Sequence, residues 1–362
     1  MEKTDNNKFL NIAAGLFLAG FSVYVLKELS SIFIPFVLAI IISFVFEPFY
    51  SWMLSKKIPS FLAVIIVLIS LIVITNIASV FIIASINSFS SDFSVYEKKF
   101  TDFFNSVILT LHISSEEMRN LNEFLKISNL LQQGSITNFI AGFFTSFLSI
   151  FGDFILILFY VIFLLSEMVN IKERIRKAFN KEKAESIITT LDRIFIDVRK
   201  YITGKTLISL ILGTLSGFIL WMFGVDFYFI WGFLIFLMHF IPSIGALIAI
   251  SLPSMVMFLQ FDNIYTPIFV TILLLVLQNV IGNIVEPKFM GDKLDLSPLL
   301  LLLSLFLGGY IWGIVGMVLS VPIVSMLKII LMNFESTRPI AILMSYRTSE
   351  IEKKILKRTS GK

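Results

Sequence analysis

The chain has 362 residues; 57% are Ala, Val, Ile, Leu, Met, Phe, Trp, Tyr or Cys, and only 15% are charged. Soluble domains carry about a quarter charged residues and need them to cover their surface, so an ordinary soluble enzyme, a disordered chain and a coiled coil are set aside. With a mean hydropathy of +0.91 and a net charge of +4, too mild to point to nucleic acid, the sequence reads as an integral membrane protein. It has no Cys and only two His, so disulfides and thiolate metal sites are excluded and no metal or other cofactor is expected.

A membrane helix takes about 20 mostly apolar residues. Between charges the chain offers Phe9–Leu26, Leu29–Phe46, Ile58–Ser91, Ile127–Gly152, Phe154–Ser166, Thr206–Val225, Phe227–Phe261, Asn263–Val285 and Leu296–Leu327. The long runs lack the period of two that barrel strands need, which predicts an all-α fold with about six to eight transmembrane helices. The first run follows Lys3 and Lys8 without a small-residue cleavage site after it, and reads as a retained span.

The charges divide the chain. Residues 1–86 form N-terminal transmembrane helices. Residues 87–134 carry six acids and four bases. Phe89, Phe93, Tyr96, Phe100, Phe103, Phe104 and Val107 recur there at helical spacing, which marks an amphipathic helix that lies on the outer leaflet or packs against the bundle. Residues 135–166 hold a further span. Residues 167–205 form a charged helical linker with ten bases against six acids, residues 206–332 a transport core, and residues 333–362 a tail with seven bases against three acids. The excess of Lys and Arg places the linker, the tail and both termini in the cytoplasm of a multi-pass inner-membrane protein, with 87–134 outside.

Two apolar runs have awkward lengths. Phe227–Phe261 has 35 residues and is interrupted by Pro242, Ser243, Ile244 and Gly245, then by Pro253. Leu296–Leu327 has 32 residues, broken by Gly308, Gly309, Gly313 and Gly316, with Pro322 beyond. Such breakers are tolerated at membrane depth where the backbone is buried in protein or lines a cavity. They predict two re-entrant hairpins, each following a spanning helix, in an inverted repeat of the kind used for alternating access. The alternative is that each run is one long kinked span.

Polar groups among these runs are the candidate pathway. Gln278, Asn279, Asn283 and Glu286 end one helix, the last three at spacings of four and three that share a face, and lead into Pro287. They serve either a solute or interhelical hydrogen bonding. A break at Pro242, Ser243 and Gly245 would free backbone groups at a hairpin tip, and His239 lies one turn before it. Asp153 is the sole formal charge between Ile127 and Ser166, a candidate carrier of a proton or partner of a cation. No P-loop, Ser/His pairing or paired membrane aspartates suggest an enzyme.

At these residues the sequence resembles the AI-2E transporter family of PerM-like permeases. The resemblance runs from Gln278 and Asn279 through Glu286–Pro287–Lys288–Phe289–Met290–Gly291, Ser297–Pro298, Gly308–Gly309, Gly313–Ile314–Val315–Gly316 and Val321–Pro322. A second match is Phe240–Ile241–Pro242–Ser243–Ile244–Gly245, and Tyr201 and Gly204 fit the approach to the preceding helix. Lys205 stands where a glutamine is common, Ala246 where proline is usual, and His239 where asparagine is expected. The resemblance implies a homo-oligomeric secondary transporter that moves a small polar solute such as a quorum-sensing signal, coupled to H+ or Na+. A Na+(Li+)/H+ antiporter and a non-transporting scaffold are its alternatives.

Overall fold

The computed structural model describes residues 2–110, 142, 152–241, 244–290 and 296–346, and every regular element among them is helical. In chain order these are α1 (Glu2–Glu28), α2 (Ser30–Ser55), α3 (Ser60–Thr110), α4 (Phe154–Ala178), α5 (Lys181–Met222), α6 (Tyr228–Met238), α7 (Ile244–Gln260), α8 (Tyr265–Val280), α9 (Glu286–Met290), α10 (Pro298–Asn333) and α11 (Arg338–Leu343). A π-helical turn, Ile281–Val285, joins α8 to α9. Five of the described helices are long and apolar enough to cross a membrane, and a sixth if the bent α4 counts as one span. Large apolar side chains such as Phe61, Ile155, Phe218, Phe269 and Phe306 are exposed on their outer faces, the pattern of a surface whose solvent is lipid.

Two long helices exceed any bilayer. At 1.5 Å per residue the 42 residues of α5 extend about 63 Å, against a hydrocarbon core of about 30 Å. Its start is set by Asn180, whose side-chain oxygen accepts from Lys183 N at 3.1 Å, with Glu182 in the first turn. The charged half of α5 pairs with α4 through Lys172–Asp192 at 2.7 Å and Arg176–Glu185 at 3.1 Å. No break separates the charged linker from the transport core at residues 205 and 206, since α5 runs straight through both. Likewise α3 continues across residue 87 to Thr110. On that aromatic face Tyr96 is buried and meets Phe227 and Asp226, so at this residue the face packs on the bundle rather than on lipid. Residues 111–134 lie outside the described residues.

Two cores organise the bundle. Ala39, Met53, Val67, Val161 and Leu165 knit α2, α3 and α4 together. The larger core surrounds Trp231 and joins α5, α6, α7, α8 and α10. The backbones of α5 and α6 touch: a Cβ on Gly213 would sit 2.7 Å from Gly232 O, and one on Gly232 would sit 2.9 Å from Gly213 O. Without a hydrophobic drive between helices in lipid, such close approach is what small residues contribute.

Both awkward runs fold as helical hairpins. Residues 227–261 form α6 and α7, and the two ends of the run meet. Gln260 Oε1 accepts from Asp226 N at 2.9 Å, and Gln260 Nε2 donates to Gly224 O at 2.7 Å. Pro253 lies inside the unbroken α7 and does not interrupt it. In α10 the chain reverses at Trp312 and Gly313, where Gly313 has φ 61°. The limbs 298–311 and 314–333 then cross so closely that a Cβ on Gly316 would overlap the Gly308 carbonyl. Gly309 abuts Met317 and Gly313 makes the turn. Ser297 sits at the N-cap of α10 with Pro298 after it, but its hydroxyl makes no capping bond.

The ends of α5 and α8 fix their relative direction. Residues 224–226 adjoin Gln260 at one end, and Lys205 adjoins Glu286 at the other. The two helices run antiparallel, so the hairpins that follow them are entered from opposite ends of the bundle. If the crossing of the second hairpin holds its limbs together, Gly316→Val is expected to destabilise the protein by about 1–3 kcal/mol through overpacking, seen as a lower Tm in detergent. Gly15→Ala, where nothing lies within 4 Å, is expected to leave Tm unchanged or slightly raised.

Candidate functional site

A cavity of about 780 Å³ opens between α5, the first hairpin, α8 and the second hairpin. At one end lie hydroxyls: Thr271 Oγ1 donates to Ser254 Oγ at 2.9 Å, and Ser254 in turn donates to Ile250 O. Along its wall run Gln278, Asn279 and Asn283, with Asn283 Nδ2 donating to Asn279 Oδ1 at 3.0 Å. At the other end is an ion pair. Lys205 Nζ donates to Glu286 Oε1 at 2.6 Å. His239 Nε2 stands 3.1 Å from Glu286 Oε2, off the direction of a well-aligned hydrogen bond. The side chains of Lys205 and Glu286 are only 7% and 12% exposed.

Local sequence explains each position. The Pro287 ring has no N–H and crowds the carbonyl four residues back, so the helix widens ahead of it. Glu286 N accordingly bonds to Ile281 O, five residues earlier. The spacing of four and three assumed a regular α-helix; the wider turn leaves Asn279 and Asn283 exposed while Glu286 is drawn inward. His239 closes α6, where Ile241 N bonds to Met238 O at 2.9 Å. Gly245 sits so tightly beneath the end of α6 that a Cβ would overlap the Met238 carbonyl. Tyr201, one turn before Lys205 on α5, is fully buried beside Ser325 and also lines the cavity.

Of the sequence candidates, the structure brings together His239, Gln278, Asn279, Asn283, Glu286 and Pro287. Gly245, Gly308, Gly309, Gly313 and Gly316 do not line the cavity; they shape the two hairpins that wall it. Pro242 and Ser243 lie outside the described residues. Asp153 stands exposed just before α4 and is not among the groups that line the cavity. The ionisable group of this site that sequence reasoning missed is Lys205, which ends a run of charge on α5.

Comparison with known proteins agrees with this architecture. The profile described as AI-2E family transporter matches residues 12–336. The chain belongs to the AI-2E transporter family. Among its relatives is YhhT of Escherichia coli K12, a protein provisionally named for transport. The two are 31% identical over 321 residues, 87% of this chain and 88% of YhhT. The AI-2 transport protein TqsA of the same organism is 28% identical over 321 residues, 87% of this chain and 90% of its own. A provisionally named transport protein of Borreliella burgdorferi is 29% identical over 308 residues, 85% of this chain and 83% of its own. This AI-2E family member is thus a multi-pass membrane transport protein.

The buried pair makes an energetic prediction for this AI-2E protein. Glu286→Gln leaves the Lys205 ammonium buried without its counter-ion and is expected to cost about 3–5 kcal/mol. The double variant Lys205→Met with Glu286→Gln is expected to recover much of that loss. A double-mutant cycle on Tm in detergent reads the coupling; additive effects would show that the pair contributes nothing.

Proposed function

We propose that this AI-2E family protein carries a small polar solute across the bilayer through the cavity between its hairpins, with Glu286 as the group through which ion movement is coupled. The observation that carries this reading is the cavity itself: amides along its wall, hydroxyls at one end, and one buried carboxylate with two basic neighbours at the other. Ionisable groups at membrane depth are costly and face pathways or partners. The antiparallel α5 and α8, each followed by a hairpin, support an inverted repeat with both hairpins re-entrant and both termini cytoplasmic. The signal in TqsA's name makes autoinducer-2 the first solute to assay. Exchange of Na+ or Li+ for H+ is the second reading, favoured by the contact of Glu286 with His239.

In proteoliposomes under an imposed pH gradient, autoinducer-2 flux is expected. Glu286→Gln should lower it about tenfold or more, the factor worth about 1.4 kcal/mol, while Asp153→Asn leaves it near wild type. Flux unaffected by Glu286→Gln would remove the carboxylate from the mechanism. Sodium-dependent proton movement without solute would favour the antiporter, and the absence of both would leave a scaffold.

The absence of native Cys makes orientation directly readable. Asn263→Cys is expected to label only from outside and Lys288→Cys only from the cytoplasm. The reverse pattern would mean that the two runs span the bilayer as single kinked helices.

A further inference from the structure

A carboxylate held in a low-dielectric site is neutralised by a proton, by a bound cation or by a fixed ammonium. In this protein the third arrangement is in place. Lys205 Nζ takes one oxygen of Glu286 at 2.6 Å and His239 Nε2 faces the other at 3.1 Å. With His239 neutral, the three side chains sum to zero charge. Among the described residues that line the cavity, Glu286 is the one acid, so no second carboxylate there balances a further cation. A metal ion joining Glu286 would therefore have to sit beside the Lys205 ammonium, and two like charges in contact at low dielectric repel strongly.

The surroundings are otherwise suited to a small hard cation. Oxygen donors from Gln278, Asn279, Asn283, Ser254 and Thr271 line the same cavity, and amide, hydroxyl and carboxylate oxygens are the ligands such ions take. The lysine head group is a compact point charge on a flexible stem. It stands where an ion on the carboxylate would stand.

We propose that Lys205 is a tethered counter-ion that fills the cation position on Glu286, so that the native site binds no sodium or lithium and gains that capacity when the ammonium is removed. This deepens the reading of the cavity as the transport site: it assigns ion specificity to Lys205 and leaves the proton as the ion available for coupling. Its functional meaning rests on that reading, but sodium binding is measured without solute or flux, so the two fail separately.

The test uses the purified full-length protein in detergent, at an alkaline pH that keeps Glu286 ionised. Thermal unfolding is compared in sodium chloride, lithium chloride and choline chloride at equal ionic strength. Wild type should show the same Tm in all three. Lys205→Met should unfold at a temperature several degrees higher in sodium or lithium than in choline, with a saturable dependence on concentration. The added substitution Glu286→Gln should abolish that difference. Lys205→Gln repeats the measurement with a polar neutral side chain, in case the methionine variant is too unstable to purify, and binding of radioactive sodium gives a second readout. A sodium-specific shift or saturable sodium binding in wild type overturns the proposal; if Glu286→Gln abolishes that response, the carboxylate is itself a sodium site. No gain of sodium response in either Lys205 variant overturns it as well.

Discussion

A charge inside a membrane protein needs a partner, and the pairing of Lys205 with Glu286 is the contact around which the transport core closes. It joins residues 81 positions apart in sequence. The pair ties the middle of α5 to the π-helical turn after α8, and His239 brings the tip of the first hairpin to the same carboxylate. Three elements thus converge on one group. The alternative for each is an uncompensated charge or polar atom in hydrocarbon, which costs several kcal/mol. The antiparallel arrangement of α5 and α8 follows from this contact at one end and from the Gln260 bonds at the other.

The two hairpins meet the same requirement by different chemistry. The first is fastened at its base by polar bonds: Gln260 reaches Asp226 N and Gly224 O, Tyr96 donates to Asp226, and Lys99 donates to Gln260 O. The second is fastened along its length by the contact of Gly308 with Gly316. Its turn is anchored from α1, where Trp312 Nε1 donates to Leu26 O at 2.8 Å and Lys27 lies 4.3 Å from the Tyr310 ring centre. The polar base holds by directional hydrogen bonds, whereas the glycine crossing holds by close packing alone.

Much of this was legible in the sequence because the bilayer imposes length on helices. Runs of 35 and 32 residues fit neither one span nor two; Gly313 stands where the second run turns, whereas Pro253 and Pro322 lie inside helices that continue through them. The polar stripe from Gln278 to Glu286 was visible through spacing alone, although the π-helical turn changes the angle between its members. Lys205 was not legible. It ends a run of charge, and only a partner distant in sequence reveals that the helix has by then entered the core. Lys205 and His239 both contact Glu286, from positions 34 residues apart in sequence. Asp153 stands apart from the groups that line the cavity: an isolated charge reports only a need for polar surroundings, and spacing does not say which element supplies them.

The cavity is mechanically uneven, and this bears on how it could open. At its base the first hairpin is held to α3 and to the end of α5 by bonds from Tyr96, Lys99 and Gln260. Among the described residues of its tip, His239 contacts Glu286, without the alignment of a strong hydrogen bond. The pair of Lys205 with Glu286 belongs to α5 and the turn after α8, not to the hairpin, so it survives if the tip withdraws. A displacement pivoting at the base would part His239 from Glu286 and leave the pair of Lys205 with Glu286 in place. Without Lys205 the same displacement would expose an unpaired carboxylate at membrane depth. The lysine would keep the site electrically neutral through such a displacement.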